Sequence, residues 1–242
     1  MLILALDSST KTAAVGLNLD NEMLVQFTVD AGNTHSEILL PMVADSLSLS
    51  GFTTDEIDLF GCVTGPGSFT GVRIGVATIK GLAFGKNIPC VSVSSLESLA
   101  ETLYQEKGII CPVIDARREQ VYNALFESDG TRIRRLTADR AIPICELDEE
   151  LAKTGRPVHL IGDAVHTAYE RFEKTPRATV TKHTCGPDGN AVARVAFREY
   201  KNGHGTTDLA LRPTYLRIPQ AERERLEKLK AAAESAVNNR EV

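Results

Sequence analysis

The chain has 242 residues, 43% of them hydrophobic and 24% charged, with a formal net charge of −5 at pH 7. That is enough apolar material for one large domain or two modest ones, and it rules out wholesale disorder. The acidic balance excludes broad electrostatic capture of nucleic acid by this chain alone, so any contact with RNA is expected through a partner that supplies the basic surface.

Residues 2–7, LILALD, read as a strand ending in an acid. SSTKT follows as a hydroxyl-rich turn, and AAVGLNLDNEMLVQFTVD as a second and third strand with a hairpin at Asp20 and Asn21. In THSEILLPMVADSLSLSG, Thr34 or Ser36 can cap a helix over about 35–49. Its apolar positions recur at i, i+1, i+4, i+5, and Pro41 falls in the first turns, where proline is tolerated. IDLFGCVTG reads as a buried strand that feeds TGPGSFTGVRIG, residues 64–75, and a helix over about 69–84. IPCVSVSSLESLAETLYQ is a strand turning into a helix. Three strands in succession followed by alternation predict a mixed sheet with helices on its faces.

These elements make a first unit, 1–106. In a second unit, 107–217, IICPVIDARREQVYNALFES reads as strand, turn, strand, with a hairpin close at Asp129 and Gly130. PVHLIGDAVHTAYERF is strand, turn, helix, and NAVARVAFREYKNGH a further helix. Both units open with an apolar strand ending in Asp, at Asp7 and Asp115, each followed by a polar turn and a strand, which points to a duplicated fold. Residues 218–242 mix acids and bases around a thin leucine and alanine stripe, the pattern of an exposed or partner-packed helix.

No run of about 18 apolar residues occurs, and MLILALDSSTK has neither a basic leader nor a cleavage site. A soluble cytoplasmic protein without membrane contact is expected. Cys62, Cys90, Cys111, Cys145 and Cys185 are widely spaced and form no C-x-x-C pair, so neither a disulfide framework nor a zinc cluster is signalled. Most are expected as buried thiols.

Asp7, Ser8, Ser9 and Thr10 form a strand-end turn able to present hydroxyls and N–H groups to a phosphate, or simply to satisfy its own backbone. The matching second turn, Asp115, Ala116, Arg117, is not a glycine turn, and its side chains keep a phosphate from the backbone, although Arg117 can pair with an anion. Nucleotide binding by the chain alone is therefore expected to be weak or absent. TGPGSFTGVRIG misses the Walker A pattern because no Gly-Lys-Ser or Gly-Lys-Thr follows, and it misses G-x-G-x-x-G because its glycines are spaced G-x-G-x-x-x-G. Gly71 and Gly75 instead give the helix a small-residue face, which needs close approach of another backbone to offset a cost of about 1 kcal/mol each. No H-x-x-x-H occurs, and His159, His166, His183 and His204 sit in separate segments, each read as a surface residue.

ILALDSSTKTAAVGL, THSEILLP, TGPGSFTGVRIGVATIKGLA, VSSLESLA, VIDARREQVYNALF and PTYLR resemble the TsaB (YeaZ) family of tRNA threonylcarbamoyladenosine biosynthesis, with a match from residue 1 to about 217. The resemblance implies a two-lobe α/β fold of the actin, sugar kinase and Hsp70-like class, with ribonuclease H-like mixed sheets flanked by helices. It implies a non-catalytic subunit that homodimerises alone and pairs with and activates the catalytic TsaD. TsaE joins that pair, and tRNA is met only through the complex, which modifies adenosine 37 of tRNAs reading codons that begin with A. TsaD-type catalysts hold a metal with H-x-x-x-H, and here His35 stands with Leu39, so no metal and no resident cofactor are expected; an adenine nucleotide trapped at the joint surface stays open. Family complexes pair the first two helices. Carried over, the partner-binding residues are His35, Ile38, Leu39, Met42 and Val43 on one helix and Thr70, Gly71, Val72, Ile74, Gly75, Val76, Thr78 and Ile79 on the other. The competing readings are a phosphotransferase or ATPase in its own right, built on Asp7, and a metallopeptidase.

Overall fold

A computed structural model of the protein describes residues 1–30 and 34–217; the charged tail at 218–242 lies outside the described residues. The first sheet contains β1 (Leu2–Asp7), β2 (Ala13–Leu19), β3 (Glu22–Val29), β4 (Leu59–Gly65) and β5 (Cys90–Ser94), in the order β3-β2-β1-β4-β5. β1 runs antiparallel to β2 and parallel to β4. All six residues of β1 are buried, because helices cover both faces of the sheet, and this is why LILALD lacks polar alternation. Leu4 and Leu6 pack with Leu39 and Val43 of α1 (His35–Ser50) and with Val72, Val76 and Ile79 of α2 (Phe69–Ala83). Ile3 and Ala5 point the other way, onto Val192, Val195 and Ala196 of α6 (Gly189–Lys201). Both helices are capped at their starts. The Thr34 N–H donates to Glu37 Oε2 at 3.3 Å, and the Ser68 hydroxyl accepts the Gly71 N–H at 3.2 Å.

The second sheet repeats this plan. β6 (Gly108–Asp115), β7 (Gln120–Asn123), β10 (Arg140–Pro143), β11 (Val158–Ile161) and β12 (Val180–Lys182) lie in the order β10-β7-β6-β11-β12. β7 and β10 are antiparallel to their neighbours, and β11 and β12 are parallel, as in the first sheet. The expected duplication is therefore present in strand order and sense. One strand differs from the sequence reading: QVYNALFES divides into β7 and β8 (Phe126–Ser128). Pro112 has no N–H to donate, so β6 pairs with β8 through residues 108–110 and with β7 through residues 113–115. β8 then hairpins to β9 (Ile133–Arg135) across Gly130, whose φ is 91°. α4 (Ile144–Thr154) and α5 (Val165–Glu170) cover the outer face of this sheet through Leu147, Leu151 and Ala168.

The third helices cross over. α3 (Ser95–Thr102) follows β5 in sequence yet packs on the second sheet, through Leu96 and Leu99 against Ile110, Ile114 and Phe126. α6 follows β12 yet packs on the first sheet. Its start sits on β2 so closely that a Cβ on Gly189 would stand 2.3 Å from the Gly16 nitrogen. Where α3 and α6 meet, Glu101, 3% exposed, binds Arg194 at 2.5 Å and Arg198 at 2.8 Å. Glu97 adds Arg198 at 2.8 Å and Arg135 at 2.7 Å. The arginines hold the Glu97 carboxyl below the ordinary range although burial opposes it.

Candidate functional site

DSST and TGPGSFTG, distant in sequence, lie directly against one another. At the end of β1, Asp7 Oδ1 accepts the Ser9 N–H at 2.7 Å. At the end of β6, Asp115 Oδ1 accepts the Arg117 N–H, also at 2.7 Å. The two turns are built alike and sit in opposite surroundings.

The first turn is closed. Asp7, Ser8 and Ser9 are 1%, 0% and 1% exposed. The Ser68 N–H donates to Ser9 O at 2.6 Å and the Ser8 hydroxyl to Gly71 O at 2.8 Å. A Cβ on Gly67 would stand 2.3 Å from Ser9 O, and one on Gly71 2.0 Å from Ser8 O, so glycine is what lets the loop seat here. Burial pushes the Asp7 carboxyl up, while the Ser9 N–H bond and the nearby His35 pull it back. Asp7 Oδ2, Ser9 Oγ and His35 Nδ1 are buried without a hydrogen-bond partner. Thr10 is half-buried, and its carbonyl accepts from His35 Nε2 at 2.7 Å, which fixes the start of α1 over the turn.

The second turn is open. Asp115 and Arg117 are exposed, and Arg117, Arg118 and Glu119 take φ of 60°, 54° and 58°, a left-handed run that side-chain-bearing residues adopt at a cost. Arg217 holds it by donating to Ala116 O and Gln120 Oε1, and Arg171 pairs with Glu119 at 2.7 Å. The hydroxyls expected as phosphate ligands are thus beneath the glycine loop, and the arginine expected at the other side faces solvent.

The helix faces need a correction. Leu39, Met42, Val43, Val72, Val76 and Ile79 belong to the core between α1, α2 and the first sheet, none more than 6% exposed. Gly71 and Gly75 face the lobe's own turn: a Cβ on Gly75 would meet Ser8 Oγ at 2.5 Å and Leu6 Cδ1 at 3.1 Å. The close approach inferred from their spacing is real, but it comes from the lobe's own turn and not from a partner helix: Gly71 meets the backbone of Ser8, and Gly75 meets the side chains of Ser8 and Leu6. Of the residues named from sequence, His35, Ile38, Ile74 and Thr78 are half-buried and Thr70 is exposed. Sequence reading missed Leu40, Leu49 and Phe84, exposed at 53%, 73% and 77%, together with exposed Ala44, Ala77 and Gly81; counting outward from the buried positions by 100° per residue finds most of them. One flank of α2 is already occupied. Arg73 lies 3.7 Å over the Phe69 ring and donates to Tyr215 Oη at 2.8 Å, while Lys80 Nζ reaches the carbonyls of Leu209 and Leu211.

Two of the four histidines, His159 and His183, differ from the surface reading. His166 and His204 are exposed, with His204 2.6 Å from Glu199. His159, on β11, is 7% exposed, and its Nδ1 lies 3.1 Å from His183 Nε2 just beyond β12. The parallel pairing of those two short strands brings the pair together, which separate segments in the sequence do not reveal. Burial and the neighbouring imidazole push the His183 pKa down. Cys62, Cys90 and Cys111 are buried as expected, whereas Cys145 and Cys185 are exposed. No helix among the described residues is long and apolar enough to cross a membrane.

Two sheets of identical strand order and sense, each opening on a strand that ends in an aspartate turn, with their third helices exchanged, define the two-lobe class of actin, the sugar kinases and Hsp70. A family model described as TsaD: tRNA N6-adenosine threonylcarbamoyltransferase matches residues 29–225. The TsaB tRNA threonylcarbamoyladenosine biosynthesis protein of Bacillus subtilis is 30% identical, covering 95% of this chain and 100% of its own. That of Haemophilus influenzae is 28% identical over 90% and 94%. The solved structure of YeaZ from Pseudomonas aeruginosa, 27% identical, covers 89% of this chain and 99% of its own with a TM-score of 0.76. The chain belongs to the TsaB (YeaZ) family.

Proposed function

We propose that this chain serves N6-threonylcarbamoyladenosine formation on tRNA as a non-catalytic subunit, by pairing with a catalytic TsaD protein. The observation that supports it best is the closed first turn. A kinase or ATPase of this class must admit phosphate to that turn, and here Gly67 and Gly71 fill the approach while Ser8 is spent on Gly71 O. Leu39, at the helical position one turn from His35, is 1% exposed and part of the core, so the helix offers one imidazole where a metal-holding pair needs two.

Pairing uses the outward rows of α1 and α2, around Ile38, Leu40, Ile74, Ala77 and Thr78, with the buried rows setting their position. A second copy of the chain takes the same face when TsaD is absent. TsaE joins the formed pair, and tRNA is met by the assembly, since a chain of net charge −5 has little pull on phosphates of its own. The setting is the cytoplasm.

Isothermal titration of the isolated chain with ATP and Mg²⁺ tests the non-catalytic part. No saturable heat at micromolar nucleotide is expected. Tight binding with hydrolysis that disappears in Asp7→Ala makes the chain an enzyme in its own right and overturns the reading.

A further inference from the structure

His159 and His183 are brought together by β11 and β12, on the second sheet and away from the first turn and the α1–α2 face. His159 Nε2 lies 3.2 Å from the carbonyl of Lys107. A carbonyl only accepts, so Nε2 carries the proton and Nδ1 presents its lone pair toward His183. His183 Nε2, 3.1 Å away, donates into that lone pair. On the same side stands Glu106, in the turn before β6, with Oε2 4.0 Å from His159 Nδ1 and its side chain 49% exposed.

Each of these features suits a borderline divalent cation. Two nitrogens bound to a tetrahedral Zn²⁺ at about 2.0 Å stand about 3.3 Å apart, and the His159–His183 separation of 3.1 Å needs little change. A ligating imidazole is ordinarily oriented by a carbonyl on its other nitrogen, which is the Lys107 contact. The two ring nitrogens already face one another, and with His183 in its Nδ1–H form a modest turn of each ring brings both lone pairs onto one cation. Among the described residues no three or more His, Cys, Asp or Glu side chains are gathered to hold a metal ion, so the third donor has to move, and the half-exposed Glu106 has the freedom to do so.

We propose that His159 Nδ1 and His183 Nε2 form a binding site for a divalent cation of the zinc type, completed by the Glu106 carboxylate and water. On binding, His183 shifts its proton from Nε2 to Nδ1, so both imidazoles stay neutral and no proton is released. The cation ties together the entry of β6, β11 and the end of β12, three neighbouring strands of the second sheet.

The test is a chelator-competition titration of the full chain with Zn²⁺ in a Cys145→Ser, Cys185→Ser background, which removes the two exposed thiols as competitors. One equivalent is expected to bind. His159→Gln keeps a donor for Lys107 O and loses the Nδ1 lone pair, and His183→Asn loses Nε2; each is expected to weaken binding at least tenfold while far-UV circular dichroism stays that of the parent. Nitrogen-15 spectra of the imidazoles are expected to show His183 moving to its Nδ1–H form with Zn²⁺. Failure to bind one equivalent in the serine background, or binding unchanged in both histidine variants, overturns the site.

Discussion

Alanine placed at three glycines of α2 should give three different answers, because the structure puts something different above each. At Gly71 a new Cβ would stand 2.0 Å from the Ser8 carbonyl oxygen, which is backbone and cannot rotate away. Overpacking of this kind costs about 1–3 kcal/mol, and separating the helix from the turn also strains the Ser8–Gly71 hydrogen bond, worth about 1 kcal/mol. Against that stands a helix-propensity gain of up to about 1 kcal/mol. The last two terms roughly cancel, and for a chain of this size, where each kcal/mol moves the midpoint by about 2–4 °C, Gly71→Ala should lower Tm by about 2–12 °C. At Gly75 the nearest atoms are the Ser8 hydroxyl, which would have to leave Gly71 O, and a Leu6 methyl, both on side chains rather than backbone; that hydrogen bond, worth about 1 kcal/mol, is offset by the propensity gain, and Tm should stay within about 3 °C of the parent. Gly81 has nothing within 4 Å, so Gly81→Ala should raise Tm by about 1–4 °C through propensity alone. The assay is thermal unfolding of the three variants by calorimetry or circular dichroism. A Gly71→Ala variant that melts above the parent, alongside Gly81→Ala, refutes the seating of α2 on the first turn and with it the closed state of that turn.

The native chain should expose two thiols to a disulfide reagent, Cys145 and Cys185, with Cys62, Cys90 and Cys111 reacting only on unfolding; burial also pushes Cys90 to about 11 and Cys111 to about 12, and a third fast thiol contradicts the buried assignment. Glu101→Ala leaves Arg194 and Arg198 without their shared carboxylate. Because both arginines keep some solvent, the loss should be about 2 kcal/mol, below the range for a fully buried pair, and Tm should fall by about 4–8 °C, whereas an unchanged melt removes this network as the joint between α3 and α6. Asp7 is an acid whose folded pKa is raised. Between its unfolded and folded values the native state holds the extra proton, so stability falls as pH rises through that window and the ionised group opposes folding above it. Asp7→Asn keeps an acceptor for the Ser9 N–H and should raise Tm at pH 7, the gain fading as pH falls through that window and gone below about 4; equal gains at pH 3 and pH 7 contradict the assignment.

What the sequence disclosed, and what it hid, follows the range of the interactions involved. Period and caps are local, so β1, α1 and α2 and a cap at Thr34 were legible, as was the duplication, because Asp7 and Asp115 close like strands. The break between β7 and β8 was hidden because its cause, Pro112, lies on the neighbouring strand. The glycine spacing of α2 announced a close approach without saying to what: Gly71 meets Ser8, 63 residues away, and no pattern within the helix distinguishes a turn of the same lobe from a second protein. For the same reason the apolar rows of α1 and α2 were assigned to a partner although most of them fill the lobe's own core. His159 and His183, 24 residues apart, meet only because two short parallel strands pair.

Size-exclusion chromatography with light scattering, run on this chain, on TsaD from the same organism and on their mixture, tests the claim of a pairing subunit most directly. The account predicts that the mixture runs as a one-to-one complex, and that Ala77→Arg, a change on the exposed row of α2, abolishes the complex without altering the chain's own melt. A mixture that elutes as two separate species, or an Ala77→Arg variant that pairs as well as the parent, contradicts it.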